Sequence, residues 1–325
     1  MNNNTMQITL ISFDNWGLNK HIATSLEEQG HKVKHIDFNA FKYKYPTPLH
    51  KVQNFILKNL FKINLKNLYY GKEIIKKLQE NKEIQDVILT IKGDFIDSKS
   101  ILEFKKYTKK SIGFFNDNSY RCPKIGRVFS SFDEAYSFEK EDCEKFGLKF
   151  APNWIYNSSN TTANTNTDFE YDVFNISSID RRLPILMRVV KELESKKVNH
   201  KFIVYDKNHK PTNDNVTYID KHMSLSEVNN YINRSKVLLD INRVGQTGLT
   251  FRVFESLGLG KKLITTNKSI KDYDFYNPNN ILIIDEKNPV IPTSFFENDY
   301  EKIPESVYKK YTLEGWSDSV VFKNV

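Results

Sequence analysis

Residues 235–267 constrain the fold of this 325-residue chain more than any other segment. Their sequence, SKVLLDINRVGQTGLTFRVFESLGLGKKLITTN, predicts an apolar strand, a polar loop, an apolar helix starting near Leu249 and a second strand. Gly245 and Gly248 give the loop backbone conformations that other residues avoid. An anion at the mouth of such a loop meets backbone N–H groups and the positive end of the helix. The segment therefore predicts a phosphate- or nucleotide-binding site.

Two polar residues of this helix have two interpretations. Arg252 and Glu255 are three residues apart, so they lie on one helical face and can form an internal ion pair worth a few tenths of a kcal/mol. They can also bind a ligand, with Arg252 on a phosphate and Glu255 on a sugar diol. Gly258 and Gly260 would let the helix end close to a neighbouring segment.

The rest of the chain alternates strand-like and helix-like segments in two series, which predicts an α/β fold of two doubly wound parallel sheets. We expect an N-terminal domain at 1–156, a linker at 157–170, a C-terminal domain at 171–300 and a tail at 301–325 that crosses back to the N-terminal domain. Strands are predicted at 7–13, 32–37, 86–91, 111–115, 127–130, 134–138, 171–176, 201–205, 216–219, 237–241, 263–264 and 281–284. Ligands of such sheets bind beyond the carboxyl ends of the strands, so the expected site is a cleft between the two domains.

Composition excludes several function classes. No apolar run approaches the ~20 residues of a membrane span, and the short apolar run near the N-terminus has no basic region before it, so a cytoplasmic protein is predicted. Cys122 and Cys143 lack the spacing of a metal site or a disulfide framework. The net charge of +8 is spread among acidic residues without a nucleic-acid motif, so no nucleic-acid partner is expected.

Residues 51–77 hold the main concentration of basic charge. Lys58, Lys62 and Lys66 repeat every four residues, which places them on one side of a predicted amphipathic helix with apolar residues between them. Such a helix can lie on an anionic membrane surface, peripheral to the inner membrane, which would fit a lipid-linked substrate. It can equally pack on the core and expose a solvated lysine face.

The chain resembles the GT-B glycosyltransferases of the group 1 type, in which two Rossmann-like domains face each other across a cleft. The matching segments are LLDINRVGQTGLTFRVFESLGLGKKLITTN at 238–267, FFND at 114–117 and YDVFNISSIDRR at 171–182. The branch most similar to it contains spore-maturation-type proteins and enzymes of lipopolysaccharide or capsule assembly. The resemblance implies transfer of a hexosyl or related sugar from a nucleotide-sugar donor to a glycan or lipid-linked acceptor of a bacterial surface polysaccharide.

The same resemblance implies a role for individual residues of the second domain. Glu255 would accept hydrogen bonds from the ribose hydroxyls, and either Arg181 or Arg182, with Arg252, would neutralise the departing diphosphate. No DxD-type metal motif is evident in the matching segments, so cations and a helix dipole are expected in place of a metal, and no cofactor is expected. The loop amides facing the diphosphate would belong to Gly245, Gln246, Thr247, Gly248, Leu249 and Thr250.

Tyr205 and Tyr218 follow or end predicted strands where the fold places the nucleobase. Each can stack on the base or serve as an ordinary packed aromatic. His222 is interpreted as a surface histidine.

One departure from the family pattern concerns the mechanism. Many retaining members carry a glutamate eight residues before Glu255, where this chain has Thr247, so retention of configuration is not established. An inverting enzyme needs a general base near the acceptor, for which Asp14 and Asp117 are the candidates at predicted strand ends. Either can instead cap a helix or turn. A non-catalytic nucleotide- or sugar-binding protein of the same fold is therefore the alternative function.

Overall fold

The computed structural model describes residues 5–158, 169–208 and 216–323. Contacts divide the chain into two units, Met1–Pro152 with Leu313–Val325, and Asn153–Thr312. The sequence instead placed the domain ends at 156 and 300. Most of the linker predicted at 157–170 lies outside the described residues.

In the described part of the first unit, a six-stranded parallel sheet has the order β2-β1-β3-β4-β5-β6. Its strands are β1 (Gln7–Ser12), β2 (Lys32–Asp37), β3 (Gln85–Ile91), β4 (Thr108–Phe115), β5 (Glu134–Ser137) and β6 (Lys149–Phe150). Its helices are α1 (Lys20–Glu28), α2 (Pro48–Leu60), α3 (Leu65–Gln79), α4 (Ser98–Phe104) and α5 (Lys140–Phe146). Apolar side chains of the central strands are fully buried between helices on the two faces, as parallel sheets require.

The strand predicted at 127–130 is wrong, because the chain forms two 3₁₀ turns there, Ile125–Arg127 and Phe129–Ser131. Local bonds hold them, such as the N–H of Ser131 to the carbonyl of Val128 at 3.0 Å. Phe129 packs edge-on against Phe115 with ring centroids 4.6 Å apart. A short apolar run cannot distinguish such a buried turn from a strand.

The single helix predicted through Lys58, Lys62 and Lys66 is also wrong. α2 ends at Leu60, Lys62 has φ of 57°, and the side chain of Asn64 caps α3 by accepting from the Lys66 N–H at 3.1 Å. The backbone therefore leaves the helical conformation between the lysines.

In the second unit, the described sheet is again six-stranded and parallel, in the order β12-β11-β10-β7-β8-β9. Its strands are β7 (Tyr171–Ser178), β8 (His200–Tyr205), β9 (Val216–Ile219), β10 (Ser235–Asp240), β11 (Lys262–Thr265) and β12 (Ile281–Ile283). Its helices are α6 (Leu183–Ser195), α7 (Leu225–Asn233), α8 (Phe251–Leu259), α9 (Ser294–Glu297) and α10 (Glu305–Tyr308). The strand order reverses between β7 and β10, so the loops after these two strands diverge and leave a crevice at their carboxyl ends.

The C-terminal segment belongs to the first unit. Helix α11 (Leu313–Ser317) is followed by a π-helical turn, Asp318–Phe322. Trp316 is buried edge-on against Phe114 of β4, with ring centroids 5.0 Å apart. Across the described residues, no helix combines the length and the apolar character needed to cross a bilayer.

Helix α8 packs unusually close to the segment before it in the second unit. A Cβ added at Gly258 would overlap the carbonyl oxygen of Asn157 and the side chain of Ile155. Gly260 ends the helix with φ of 60°, the left-handed conformation that glycine adopts without strain. The prediction that these glycines let the helix end close to a neighbour is confirmed.

We expect Gly258→Ala to lower the free energy of unfolding by about 1–2 kcal/mol. Overpacking costs roughly 1–3 kcal/mol, and the better helix propensity of alanine offsets up to about 1 kcal/mol of it. Urea unfolding measures the change. Gly126→Ala is the control, because its Cβ would meet no atom nearer than 3.6 Å. Equal stability of the two variants would contradict the close approach.

Candidate functional site

The buried carboxylate of Asp240 stands at the carboxyl end of β10, at the point where the strand order reverses. It accepts hydrogen bonds from the hydroxyls of Thr250 at 2.9 Å and Thr265 at 3.1 Å. Thr250 precedes α8 and Thr265 ends β11. Burial raises the pKa of Asp240. One side chain thus ties together two strand ends and the start of the helix.

The polar loop between β10 and α8 is held by four amide side chains, each bonded to one of four successive carbonyls. These pairs are Asn242 to Gln246, Asn267 to Thr247 at 3.1 Å, Gln246 to Gly248 at 3.0 Å and Asn153 to Leu249 at 2.9 Å. Within a trans peptide the N–H points opposite to the carbonyl, so the N–H groups of these units point away from the amides. The loop conformation is therefore fixed before any ligand binds.

Cationic side chains lie beside this loop, after β7 and after β10. Arg182 binds the carboxylate of Asp180 through Nε at 2.9 Å and Nη2 at 2.8 Å, and its Nη1 donates to the carbonyl of Ile241 at 3.1 Å. Arg243 approaches the same carboxylate at 3.7 Å. Although burial opposes it, these arginines lower the pKa of Asp180. Arg181 is exposed next to them. Two paired arginines share one carboxylate here, so the group carries excess positive charge.

Arg252 and Glu255 contact each other inside the unit, as side chains three residues apart on one helical face can. Glu255 is only 4% exposed, and its other carboxylate oxygen accepts from the hydroxyl of Tyr156. Burial raises the pKa of Glu255 to about 8 and lowers the pKa of Arg252 to about 10. The glutamate is thus mostly protonated at neutral pH. Contact with a ribose stays a prediction, and it requires the carboxyl to leave Tyr156.

An aromatic pair borders the same crevice at the end of β8. Tyr205 stacks on His222 with ring centroids 3.8 Å apart and planes inclined by 24°. The carbonyl of Tyr205 accepts from the N–H of Ile179 at 2.8 Å, so the pair adjoins the residues that follow β7. Tyr218 instead packs partly buried against the apolar core of the unit. Of the two tyrosines predicted to stack on a base, Tyr205 has the more suitable position.

The predicted bases Asp14 and Asp117 both lie at strand ends of the first unit. Asp14 follows β1 and accepts from the N–H of Lys20, the first residue of α1, at 3.0 Å. Asp117 follows β4 and pairs with Lys92 at 2.6 Å and Arg121 at 2.7 Å. Asp14 therefore binds the start of α1, in line with its alternative interpretation as a helix cap. Asp117 is instead paired with two cations. Their catalytic roles stay predictions.

The strand between these two, β3, ends in residues that the sequence did not identify as candidates. Lys92 has φ of 72°, a conformation that is uncommon for a residue with a side chain. Burial opposes its charge, yet the carboxylates of Asp117 and Asp94 raise its pKa. Burial also raises the pKa of Asp94. Asp94 is therefore a further candidate for the general base, beside Asp14 and Asp117.

Sequence reasoning missed Asp180, Asp240, Arg243 and Tyr156 in the second unit. Asp240 and Arg243 had a usable signal, since both lie where β10 ends. Tyr156 had none, because it lies 99 residues from Glu255 along the chain. Within the described ranges, no three His, Cys, Asp or Glu side chains come together in a way that could hold a metal ion.

No family model matches the sequence, and no curated protein gives a significant match. Solved structures do match over nearly the whole chain. The catalytic domain of starch synthase IV from Arabidopsis thaliana, solved with ADP and acarbose, is 8% identical with a TM-score of 0.53, covering 98% of this chain and 98% of that one. A glycosyltransferase from Rickettsia africae ESF-5 is 12% identical with a TM-score of 0.49, covering 99% and 100%. The glycosyltransferase SnogD from Streptomyces nogalater is 8% identical with a TM-score of 0.43, covering 98% and 96%.

Identities this low show the fold and nothing finer. The starch synthase domain matches the chain along almost its full length, and each unit described above has its own doubly wound parallel sheet. The chain has the α/β GT-B fold, as predicted.

Proposed function

We propose that this protein is a glycosyltransferase that moves a sugar from a nucleotide-activated donor to an acceptor hydroxyl. The observation that carries the proposal is the arginine group at the strand-order reversal of the second unit, within a GT-B fold. Glycosyl transfer releases a nucleoside diphosphate, and fixed cations stabilise the charge that develops on it. In the starch synthase structure the bound nucleotide is ADP.

The donor would be held at three places. Arg182 and Arg243, with the exposed Arg181, would bind the diphosphate as it leaves, in place of a metal. Of the loop at 245–250, residues 247–250 would present backbone N–H groups to the phosphates, since the carbonyls of the same peptide units bond to amide side chains. The N–H of Gln246 instead donates to the carbonyl of Arg243 at 3.1 Å. The base would stack on Tyr205, which already has His222 on its ring.

The acceptor would be a glycan of lipopolysaccharide or capsule, free or lipid-linked, as the resemblance of 238–267 implies. The first unit would supply its general base. Asp117 would have to release Lys92 or Arg121 before it could take a proton, so Asp94 and Asp14 compete with it for this role. Contact with a membrane does not follow from the nucleotide site and depends on a different surface.

A second candidate is a binding protein of this fold without turnover. Two observations favour it: Thr247 stands where retaining enzymes have a glutamate, and Asp117 is held by two cations.

The first test measures binding of ADP and UDP by isothermal titration calorimetry. Arg182→Gln and Arg243→Gln should each weaken binding by roughly 10- to 100-fold, because a charge-assisted hydrogen bond contributes about 1.5–3 kcal/mol. Asp180→Asn should leave binding equal or tighter, since it removes the negative charge that both arginines contact.

Arg234→Gln is the matched control, because Arg234 pairs with Glu170 just before β10 and β7, at the opposite ends of the same strands. Its affinity should equal that of the wild type. If neither nucleotide binds, or if Arg234→Gln weakens binding as much as Arg182→Gln, the site is wrongly placed.

Turnover separates the two candidates. We expect the wild type to release nucleoside diphosphate from at least one nucleotide-sugar in a panel, measured with a coupled nucleotide assay. Asp94→Asn, Asp117→Asn and Asp14→Asn should then identify the base as the variant that loses about 100-fold or more in rate while donor affinity persists. Donor binding without release across the panel would support the binding protein.

The proton on Glu255 gives a pH test of its role. A carboxyl whose pKa rises from 4.5 unfolded to about 8 folded binds more protons in the folded state. Stability should therefore fall between about pH 5 and pH 8, by up to about 1.4 kcal/mol per pH unit. Urea unfolding across this range should show a smaller slope for Glu255→Gln, and an unchanged slope for the exposed Glu305→Gln.

Nucleotide affinity over the same range decides between the two interpretations of Glu255. If the ionised carboxylate accepts the ribose hydroxyls, affinity should rise with pH in the wild type and not in Glu255→Gln. Identical pH profiles would mean that Glu255 is an internal packing residue.

A further inference from the structure

Helix α2 turns its apolar face to solvent. Leu49 is 74% exposed, Phe55 68% and Leu60 72%, and Val52 and Ile56 are also exposed. At 100° per residue these five side chains form one stripe along a helix of 13 residues, about 20 Å long. Phe61 and Ile63 extend the stripe beyond the helix end. A stripe this long normally faces a core, so its exposure indicates that something outside the unit covers it.

The other side of α2 is fixed to the unit by polar contacts. Asn54, the buried residue of the helix, donates to the hydroxyl of Tyr45 at 2.7 Å and accepts from the N–H of Leu65 at 2.8 Å. The N–H of Ile63 bonds to the carbonyl of Leu57 at 3.1 Å. The helix is therefore held in place by its polar side, while the next helix, α3, buries its own apolar residues in the unit.

The charge around this stripe indicates what covers it. Residues 38–72 contain no Asp or Glu and seven lysines, Lys42, Lys44, Lys51, Lys58, Lys62, Lys66 and Lys72. All seven are exposed. Lys51 and Lys58 border the apolar stripe on the side of Phe55. A second copy of the chain would bring two such lysine sets together, and their repulsion opposes a dimer through this face.

We propose that α2 docks this protein on an anionic lipid bilayer. Leu49, Val52, Phe55, Ile56 and Leu60 would enter the boundary between headgroups and acyl chains, and the lysines would bind the lipid phosphates. An interfacial helix has this combination of one apolar face and bordering lysines. The surface is α2 with residues 61–63, rather than the whole of 51–77, and the proposal does not depend on transferase activity.

Flotation with lipid vesicles tests the proposal without nucleotide or sugar. The wild type should float with vesicles of phosphatidylcholine mixed with phosphatidylglycerol, and hardly with phosphatidylcholine alone. The double variant Phe55→Ser/Ile56→Ser should bind at least tenfold more weakly, because two apolar side chains no longer enter the bilayer. Lys51→Gln/Lys58→Gln/Lys62→Gln should bind roughly a hundredfold more weakly, and salt should weaken the wild type in the same direction.

Matched controls change exposed residues elsewhere in the chain. Ile84→Ser/Leu102→Ser removes two other exposed apolar side chains, and Lys82→Gln/Lys99→Gln/Lys191→Gln removes three other exposed lysines. Both should bind vesicles like the wild type, and all variants should keep its melting temperature within a few degrees. ADP affinity, measured on the same samples, should not change in the α2 variants.

Three results would overturn the proposal. The first is that the wild type fails to float with anionic vesicles. The second is that the α2 variants float as well as the controls. In the third case, light scattering would show a wild-type dimer that Phe55→Ser/Ile56→Ser dissociates, which would assign the face to a second copy of the chain.

Discussion

The carboxylate of Asp240 organises the second unit around its site. Its two threonine bonds join the end of β10 to the end of β11 and to the residue before α8. A buried carboxylate is stable only when its lone pairs are satisfied, so the hydroxyls of Thr250 and Thr265 have little freedom. The next residue, Ile241, offers its carbonyl to Arg182. The arginine group is therefore positioned by the same strand end that the carboxylate holds.

Burial of charge also determines the protonation of Glu255. Asp240, Arg252 and Glu255 lie in the interior of one unit, where the guanidinium groups of Arg182 and Arg252 act on Asp240. Because burial disfavours the charged form of a carboxyl, Glu255 is stabilised by keeping a proton. A protonated Glu255 can pack against Tyr156 with little electrostatic cost. To accept hydrogen bonds from a sugar diol as an anion, Glu255 would have to lose that proton when the ligand binds. The bound ligand would then have to stabilise the charge of the carboxylate.

The sequence predicts the fold well because strand and helix periods are local. The alternation along the chain predicted both sheets, and the apolar helix at 249–259 placed Arg252 and Glu255 on one face, where they meet. Long-range pairs had no such signal. The contact of Tyr156 with Glu255, and the approach of Arg243 to Asp180, depend on which strands become neighbours. The break in the helix at Lys62 had no signal either, because nothing in a lysine side chain predicts a positive φ.

The exposed stripe of α2 has a consequence for the protein in plain buffer. Without lipid, the apolar faces of two molecules attract each other, and the repulsion between their lysine sets opposes that attraction. The repulsion reaches about 10 Å at 0.1 M salt and only about 3 Å at 1 M, whereas the apolar attraction is not screened. Colloidal stability should then decrease as salt is added, and dilute, low-salt solutions should keep the protein dispersed.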